Sequence, residues 1–185
     1  MKIILGALLL FLLSGCAGIG VTATSDPAEK LNQAERMQNE NRPVMAETLI
    51  LESIKIYEGN NDILGLAEAY HAYGNLHKNS IVQQYKTIYD PTYMKSINSF
   101  KKSKELFQQA NSEIGVVKSL VGIGMCYSMR QEREKACPYY EDALSKYKSG
   151  KENGKITKEP TIFIQGYDNF GSIVEQIIKQ EECTK

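Results

Sequence analysis

The chain has 185 residues, and its 22 lysines and arginines balance its 22 aspartates and glutamates, so the formal net charge is zero. A chain without excess charge has no field that would draw it to nucleic acid or to anionic lipid. A chain of this length is long enough for one domain. No long stretch alternates apolar and polar residues as a half-buried strand would, which favours an all-α fold.

The first 16 residues have the pattern of an exported leader. Lys2 supplies a positive start and residues 3–13 are apolar. This run is shorter than the roughly 20 apolar residues of a membrane-spanning helix. It ends in the stretch LSGC, which closes at Cys16 and resembles the lipobox of bacterial lipoproteins. The resemblance implies that residues 1–15 are a signal peptide and that Cys16 is lipidated; an ordinary signal peptide with an incidental cysteine is the alternative.

The residues after Cys16 indicate where in the cell the protein is located. An Asp at position 17 would resemble the retention signal of inner-membrane lipoproteins, and Ala17 stands there instead. The resemblance therefore implies an outer-membrane anchor and a domain that faces the periplasm, with the inner membrane or the cell surface as alternatives. Several acyl chains would hold stably, because each buried methylene contributes about 0.8 kcal/mol. The segment 16–25 is predicted to be the lipidated cysteine and a flexible tether.

Small and large residues recur at fixed steps through the rest of the chain. One series starts at Gly124 and one at Ala34; a third, from Gly74, has ten residues inserted between its halves, and a partial one starts at Gly171. The first two series continue as Tyr127, Ala136, Tyr140, Ala143 and as Met37, Ala46, Ile50, Ser53. Small residues at facing positions let antiparallel helices approach closely, and large residues fill the space beside them.

These series resemble the tetratricopeptide repeat (TPR). The matching segments are IGMCY with ACPYYEDA and, less closely, YGNLH with SINSF and QAERM with AETLI. The resemblance is to the roughly forty-residue class of these repeats. It implies a right-handed α-solenoid of about three helix hairpins, with a capping helix at the C-terminus. The predicted TPR-like domain is 26–182, and 183–185 form a tail.

Three cysteines remain after Cys16. The last helix, predicted to begin near Thr161, should run antiparallel to the helix that begins near Glu134, which brings Cys183 beside Cys137. We therefore predict a Cys137–Cys183 disulfide, for which chain entropy implies about 4 kcal/mol. The alternative is that all three thiols are reduced. Cys126 is expected on a buried helix face.

No pattern in the sequence indicates an active site. His71 and His77 are six residues apart on one predicted helix and point in different directions, so they do not form a metal pair. His77 stands at the same step as Tyr127 and is expected to be packed. There is no Gly-rich phosphate loop after a strand and no CxxC pair. We expect no enzymatic activity, no metal, no cofactor and no small-molecule substrate.

A partner would bind the concave face that the resemblance implies, lined by the first helix of each hairpin. Candidate residues on this face are His71, Asn75, Lys78, Lys118, Met125, Met129 and Asp168. The ten-residue insertion adds Tyr85, Tyr89 and Tyr93, which recur every four residues and suit an interface. The alternatives are that the face is merely exposed and that the tyrosine rings extend the core.

These features predict an adaptor or assembly factor that binds another envelope protein or peptide, and no nucleic acid. An immunity-type lipoprotein, which neutralises a delivered toxin, is one alternative. A protein that binds or hydrolyses cell-wall glycan is an alternative of a different class. The step from repeat to envelope function rests on analogy between proteins that share a fold.

Overall fold

The computed structural model describes residues 20–79, 90–160 and 168–183, and these residues form seven α-helices and no strand. The all-α prediction is confirmed for this part of the chain. The predicted signal peptide, Cys16, Tyr85 and Tyr89 lie outside the described residues. The helices are α1 (Pro27–Asn39), α2 (Pro43–Asn60), α3 (Ile63–Lys78), α4 (Met94–Gln109), α5 (Glu113–Met129), α6 (Arg133–Glu152) and α7 (Phe170–Gln180).

Side-chain caps and tight turns set where the helices begin and end. Asp26 caps α1 by accepting a hydrogen bond from the backbone N–H of Ala28 at 2.9 Å. Three asparagines, which tolerate the left-handed conformation, have positive φ in the turns after α1, α2 and α4: Asn41, Asn61 and Asn111. Because each of these turns is short, consecutive helices fold back on each other.

Hydrogen bonds between helices establish that α3 and α4 are antiparallel. The Ser96 hydroxyl donates to the carbonyl of Gly74 at 2.6 Å, and the Ser103 hydroxyl donates to the carbonyl of Ala67 at 2.9 Å. Seven residues forward along α4 thus correspond to seven residues backward along α3. All four positions are buried, so each hydroxyl is satisfied without water.

The first pair of helices has an equivalent bond. The Ser53 hydroxyl on α2 donates to the carbonyl of Pro27 on α1 at 3.0 Å. Ser53 stands at the same step of the sequence series as Ser103, and Pro27 at the same step as Ala67. The third pair has Ala143 at this step, which has no hydroxyl. The sequence series therefore corresponds to recurring contacts between helices in the first two pairs.

Two predicted glycine contacts are present. A methyl group placed on Gly74 would lie 2.8 Å from the ring of Phe100, and one placed on Gly124 would lie 2.6 Å from the ring of Tyr140. Both distances are too short for a real Cβ, so only glycine lets the ring lie against the helix. All four residues are buried, as the packing argument from the series predicts.

The last helix begins later than predicted. A helix that runs on from Thr161 is wrong, because the backbone of Asn169 is extended and α7 begins at Phe170. The Asn169 side chain caps α7 by accepting a hydrogen bond from the backbone N–H of Ser172 at 3.0 Å. Asparagine is among the preferred capping residues, so this start has an ordinary chemical cause.

The predicted disulfide joins α7 to the start of α6. Cys137 and Cys183 are bonded, with their Cα atoms 5.3 Å apart. At the other end of α7, Gly171 is buried against the ring of Tyr147. These two contacts make α7 antiparallel to α6. Cys126 is a buried free thiol, as expected.

The residues before α1 fold back along that helix. The amide side chain of Gln33 is fully buried; it accepts from the backbone N–H of Thr22 at 3.1 Å and donates to the carbonyl of Thr22 at 3.0 Å. Further back, Gly20 lies beside the guanidinium of Arg42, in the turn between α1 and α2. Residues 20–25, the last part of the predicted tether, therefore lie against the domain.

Candidate partner-binding groove

One groove of about 940 Å³ runs across the odd-numbered helices. Side chains of α1, α3, α5 and α7 line it together with residues 158–160, which precede α7. The structure brings five of the predicted partner-binding residues together here: His71, Asn75, Lys78, Lys118 and Met125. The sequence-based projection of the first helix of each pair onto one face agrees with this arrangement.

The other predicted residues have different places. Met129 lines a depression of about 350 Å³ that shares Asn75 and Lys78 with the groove. Asp168 is exposed and is not part of the groove lining. Tyr93 is half-buried and packs against a small core cluster that includes Phe100. Of the three tyrosines of the insertion, the one that the structure describes thus extends the core.

His71 lies on the floor of the groove. Its ring makes edge-to-face contacts with Phe107 and Phe100, at centroid distances of 6.5 Å and 5.2 Å. The Nδ1 atom lies 3.1 Å from the side-chain nitrogen of Asn75. An amide nitrogen can only donate, so Nδ1 is the acceptor and the proton of the neutral ring is on Nε2.

The environment of His71 keeps its ring neutral. Burial, together with the positive charges of Lys118 and Lys78, lowers the pKa of His71 to about 3, and a backbone hydrogen bond to Lys118 only partly opposes this shift. The imidazole therefore stays uncharged across the physiological pH range. A neutral, hydrogen-bonded ring packed on two phenylalanines is suited to contact a bound chain, because it presents an aromatic edge and no charge.

Two of the three lysines that line the groove, Lys118 and Lys78, lie beside His71. Lys118 pairs with Glu68 at 3.3 Å, near the solvent. Lys78 is more enclosed: burial lowers its pKa, and its Nζ donates to the Sδ of Met125 at 3.5 Å. Methionine is flexible and polarisable, so it adapts to different bound side chains. The groove is thus a mixed surface with adaptable apolar contacts beside charges of both signs.

His77 is packed in the interior, as predicted, and does not line the groove. Its Nε2 lies 3.3 Å from the carboxylate of Glu47, and its ring makes an edge-to-face contact with Tyr73. The Tyr73 hydroxyl donates to the same carboxylate at 3.1 Å. Burial, together with the charge of Glu47, raises the pKa of Tyr73 to about 12. This cluster joins α2 to α3 and is structural.

Sequence reasoning missed the contribution of α1 to the groove. The missed residues include Leu31, Glu35 and Gln38. They stand forty residues before His71, Asn75 and Lys78, which is the offset between the series that start at Ala34 and Gly74. The signal was therefore present: the same projection, applied to the first series, selects the α1 side of the groove.

Within the described residues, no group of three or more His, Cys, Asp and Glu side chains is placed to hold a metal ion. In the same part of the chain, none of the helices is both long and apolar enough to cross a membrane. Comparison of the chain with family models, with curated proteins and with solved structures found no match in any of the three.

Proposed function

We propose that this chain is a lipid-anchored, TPR-like solenoid that binds another envelope protein, or a peptide segment of one, in the groove of the odd-numbered helices. It acts as an adaptor or assembly factor and not as an enzyme. The observation that carries the proposal is the groove itself: its volume of about 940 Å³ is lined by helices of every pair. A groove shared by successive helices is how stacked repeats bind extended partners.

The solenoid assignment is supported by contacts that recur in register. Gly74 and Gly124 each lie under an aromatic ring, and Ser53 and Ser103 make equivalent hydrogen bonds. Contacts that recur at the steps of the sequence series are what a stack of similar units requires, because each unit packs only on its neighbours.

The anchor is supported by the leader and by the cysteines. The stretch LSGC resembles a lipobox, and Ala17 after it favours the outer membrane, with the domain facing the periplasm. The Cys137–Cys183 disulfide fits an oxidising compartment outside the cytoplasm. An acylated Cys16 would hold the protein on the membrane without a spanning helix.

Binding is favoured over hydrolysis by the state of the groove's acidic groups. Of the three glutamates that line the groove, Glu68 is paired with Lys118, and Glu159 accepts hydrogen bonds from the Tyr147 hydroxyl at 2.7 Å and from Lys151 at 3.0 Å, which leaves Glu35 without a second carboxyl group to act with. Glycoside hydrolysis needs two carboxyl groups free to act as acid and base. Carboxylates engaged in this way serve structure instead.

Site-specific photocrosslinking in intact cells tests the groove. A photoreactive amino acid replaces Glu35, an exposed residue that lines the groove, or, as the matched control, Leu51, an exposed residue that lies away from the groove. We expect a discrete protein adduct from position 35 and none from position 51. Equal adducts from both positions, or none, would contradict the proposal. An adduct with a delivered toxin would indicate the immunity function, and one with glycan a cell-wall function.

A second experiment tests the anchor alone. Cys16→Ser should abolish the incorporation of labelled palmitate and release the protein from the membrane fraction, because no other residue of LSGC can be acylated in this way. Cys126→Ser is the matched control and should leave labelling unchanged. If Cys16→Ser retains the label, the lipoprotein assignment is wrong, whatever the groove binds.

A further inference from the structure

The chain enters the domain at one particular end of the helical stack. The two hydrogen bonds between the Gln33 side chain and the backbone of Thr22, which we call the N-terminal clamp, hold the residues before α1 along that helix. Gly20 thereby lies at the turn between α1 and α2. A methyl group on Gly20 would lie 3.4 Å from the Arg42 guanidinium. We call this part of the molecule, which also carries the turn between α5 and α6, the Gly20 end.

Contacts across the stack place other elements at the Gly20 end. In the turn between α5 and α6, the Arg130 side chain donates to the carbonyl of Thr92 at 2.6 Å, just before α4 begins. Arg133, at the start of α6, pairs at 3.0 Å with Glu182, just after α7 ends. The starts of α2, α4 and α6 and the final residues of α1, α3, α5 and α7 therefore share one end.

Apolar side chains are exposed at this end. Val44, near the start of α2, is 49% exposed, and Met94, at the start of α4, and Met129, at the end of α5, are exposed as well. Ion pairs with neighbouring carboxylates partly offset the positive charges there, as at Arg130 with Glu132 at 2.6 Å. Among the described residues, this end therefore combines exposed apolar side chains with charges of both signs.

The distance from Cys16 to this end is short. Only three residues separate Cys16 from Gly20. Four peptide steps span at most about 14 Å, even when fully extended. A lipidated Cys16 thus lies close to the Gly20 end. The opposite end, where Leu64 lies in the first turn of α3, is about 25 Å further along α2 at 1.5 Å per residue.

We infer that the Gly20 end lies against the phospholipid head groups, with Val44, Met94 and Met129 facing the membrane. The inference rests on the proposed function, since it requires a lipidated Cys16. The odd-numbered helices then stand along the membrane normal with their C-terminal ends at the lipid. The depression that Met129 lines opens near the membrane surface, so a partner that reaches it binds next to the bilayer.

The chain has no tryptophan, so a single introduced tryptophan reports on its own surroundings. Val44→Trp and Leu64→Trp form a matched pair, because the two side chains are 49% and 50% exposed and lie at opposite ends of the stack. The lipidated variants are reconstituted in vesicles of phosphatidylethanolamine whose head groups carry a nitroxide, which quenches tryptophan fluorescence at short range. Circular dichroism checks that both variants fold.

We expect the fluorescence of Val44→Trp to be quenched several-fold more strongly than that of Leu64→Trp. Equal quenching, or stronger quenching at Leu64, overturns the inference when mass spectrometry shows an acylated Cys16 and the protein floats with the vesicles. If mass spectrometry shows no acyl chain on Cys16, the lipid anchor of the proposed function is wrong. This result is distinct from a lipidated protein that is quenched equally at both positions. A blue-shifted Val44→Trp emission without lipid indicates that a second copy covers this end, and also overturns the inference.

A longer tether provides the internal control. Insertion of about ten Gly and Ser residues between Ala17 and Gly18 adds a flexible segment with a mean span near 17 Å. The domain then moves away from the lipid, and the quenching of Val44→Trp should fall to the level of Leu64→Trp. Undiminished quenching would mean that the short tether does not set the orientation, contrary to the inference.

Discussion

The chain is attached by different chemistry at the two ends of the described helices. At the N-terminal side, neutral groups hold the residues before α1, because the Gln33 amide pairs with the backbone of Thr22 through two hydrogen bonds. The helix α1 itself also pairs with α2 through Lys30 and Glu52 at 2.5 Å. At the C-terminal side, α7 is held by the Cys137–Cys183 disulfide and by the carboxylate of Glu159, which accepts from the backbone N–H of Phe170 at 3.1 Å.

The difference arises from how much surface each terminal helix buries. A terminal helix of a stack packs on one side only, so it opens more readily than the helices between. α1 has 13 residues and contacts both α2 and α3, whereas α7 has 11 residues and makes its main helix contact with α6 alone. The less supported helix is the one that has the covalent bond.

Removal of the disulfide should have the largest effect on this comparison. We expect Cys137→Ser with Cys183→Ser to lower the free energy of unfolding by about 4 kcal/mol, because the bond closes a loop of 46 residues in the unfolded chain. Chemical denaturation measures the loss, and hydrogen exchange should show α7 opening first. As a control, reductant should lower the free energy of unfolding of Cys126→Ala by the same amount and should not change that of the double serine variant. A uniform loss of protection from hydrogen exchange across α1 to α7 would contradict the comparison.

Substitution of the small residue of each terminal helix, Gly171 in α7 and Ala34 in α1, should have the next largest effect. Gly171→Ala is expected to cost about 1–3 kcal/mol, because the new methyl would lie 2.5 Å from the ring of Tyr147, whose hydroxyl is bonded to Glu159. Ala34, at the equivalent step of the first series, is already accommodated, so Ala34→Gly should cost only about 1 kcal/mol through helix propensity. Thermal melting compares the two; a neutral Gly171→Ala would show that the Tyr147 ring yields freely.

The helix contacts and the disulfide could be predicted from the sequence, whereas the start of the last helix could not. The recurrence of small and large residues predicts the all-α fold and which glycines lie under rings, because close helix contacts impose that spacing. The Cys137–Cys183 bond was predictable from antiparallel packing alone. The start of α7 was not, since Asn169 competes as a cap through a local side-chain bond that the periodicity does not report.

The groove was predictable in part for the same reason. Residues such as His71 and Lys118 can be placed by projecting the repeat, whereas their electrostatics cannot. The low pKa of His71 arises from burial and from Lys118, which is far away in sequence and close only after the helices pack. Asp168 was predicted to line the groove from a last helix that begins near Thr161, but α7 begins at Phe170 and Asp168 lies outside the lining.

The clamp on the N-terminal side should have a smaller effect than the disulfide. Gln33→Met keeps the volume and removes both hydrogen bonds to Thr22, which we expect to cost about 1 kcal/mol, because the partly buried backbone groups of Thr22 can reach water once the chain frays. Hydrogen exchange at Thr22 and proteolysis within residues 20–25 should rise sharply. Asn32→Met, an exposed change on the same helix, is the control and should alter neither.

Acid should loosen the C-terminal side and spare the N-terminal clamp, which is the smallest of the expected effects. Burial alone would raise the pKa of Glu159, but hydrogen bonds from Tyr147, Phe170 and Lys151 outweigh it and hold this pKa below its ordinary value of 4.5. A carboxyl group with a lowered folded-state pKa stabilises the fold above that ordinary value, and this stabilisation is lost as pH falls through the folded pKa. The difference in thermal midpoint between the natural chain and Glu159→Gln should therefore be largest near pH 7 and shrink below about pH 4.5. Gln33 has no titrating group, so hydrogen exchange at Thr22, corrected for the intrinsic pH dependence of amide exchange, should not change as pH falls through this range. Faster exchange at Thr22 in acid, with no change in α7, would contradict the comparison.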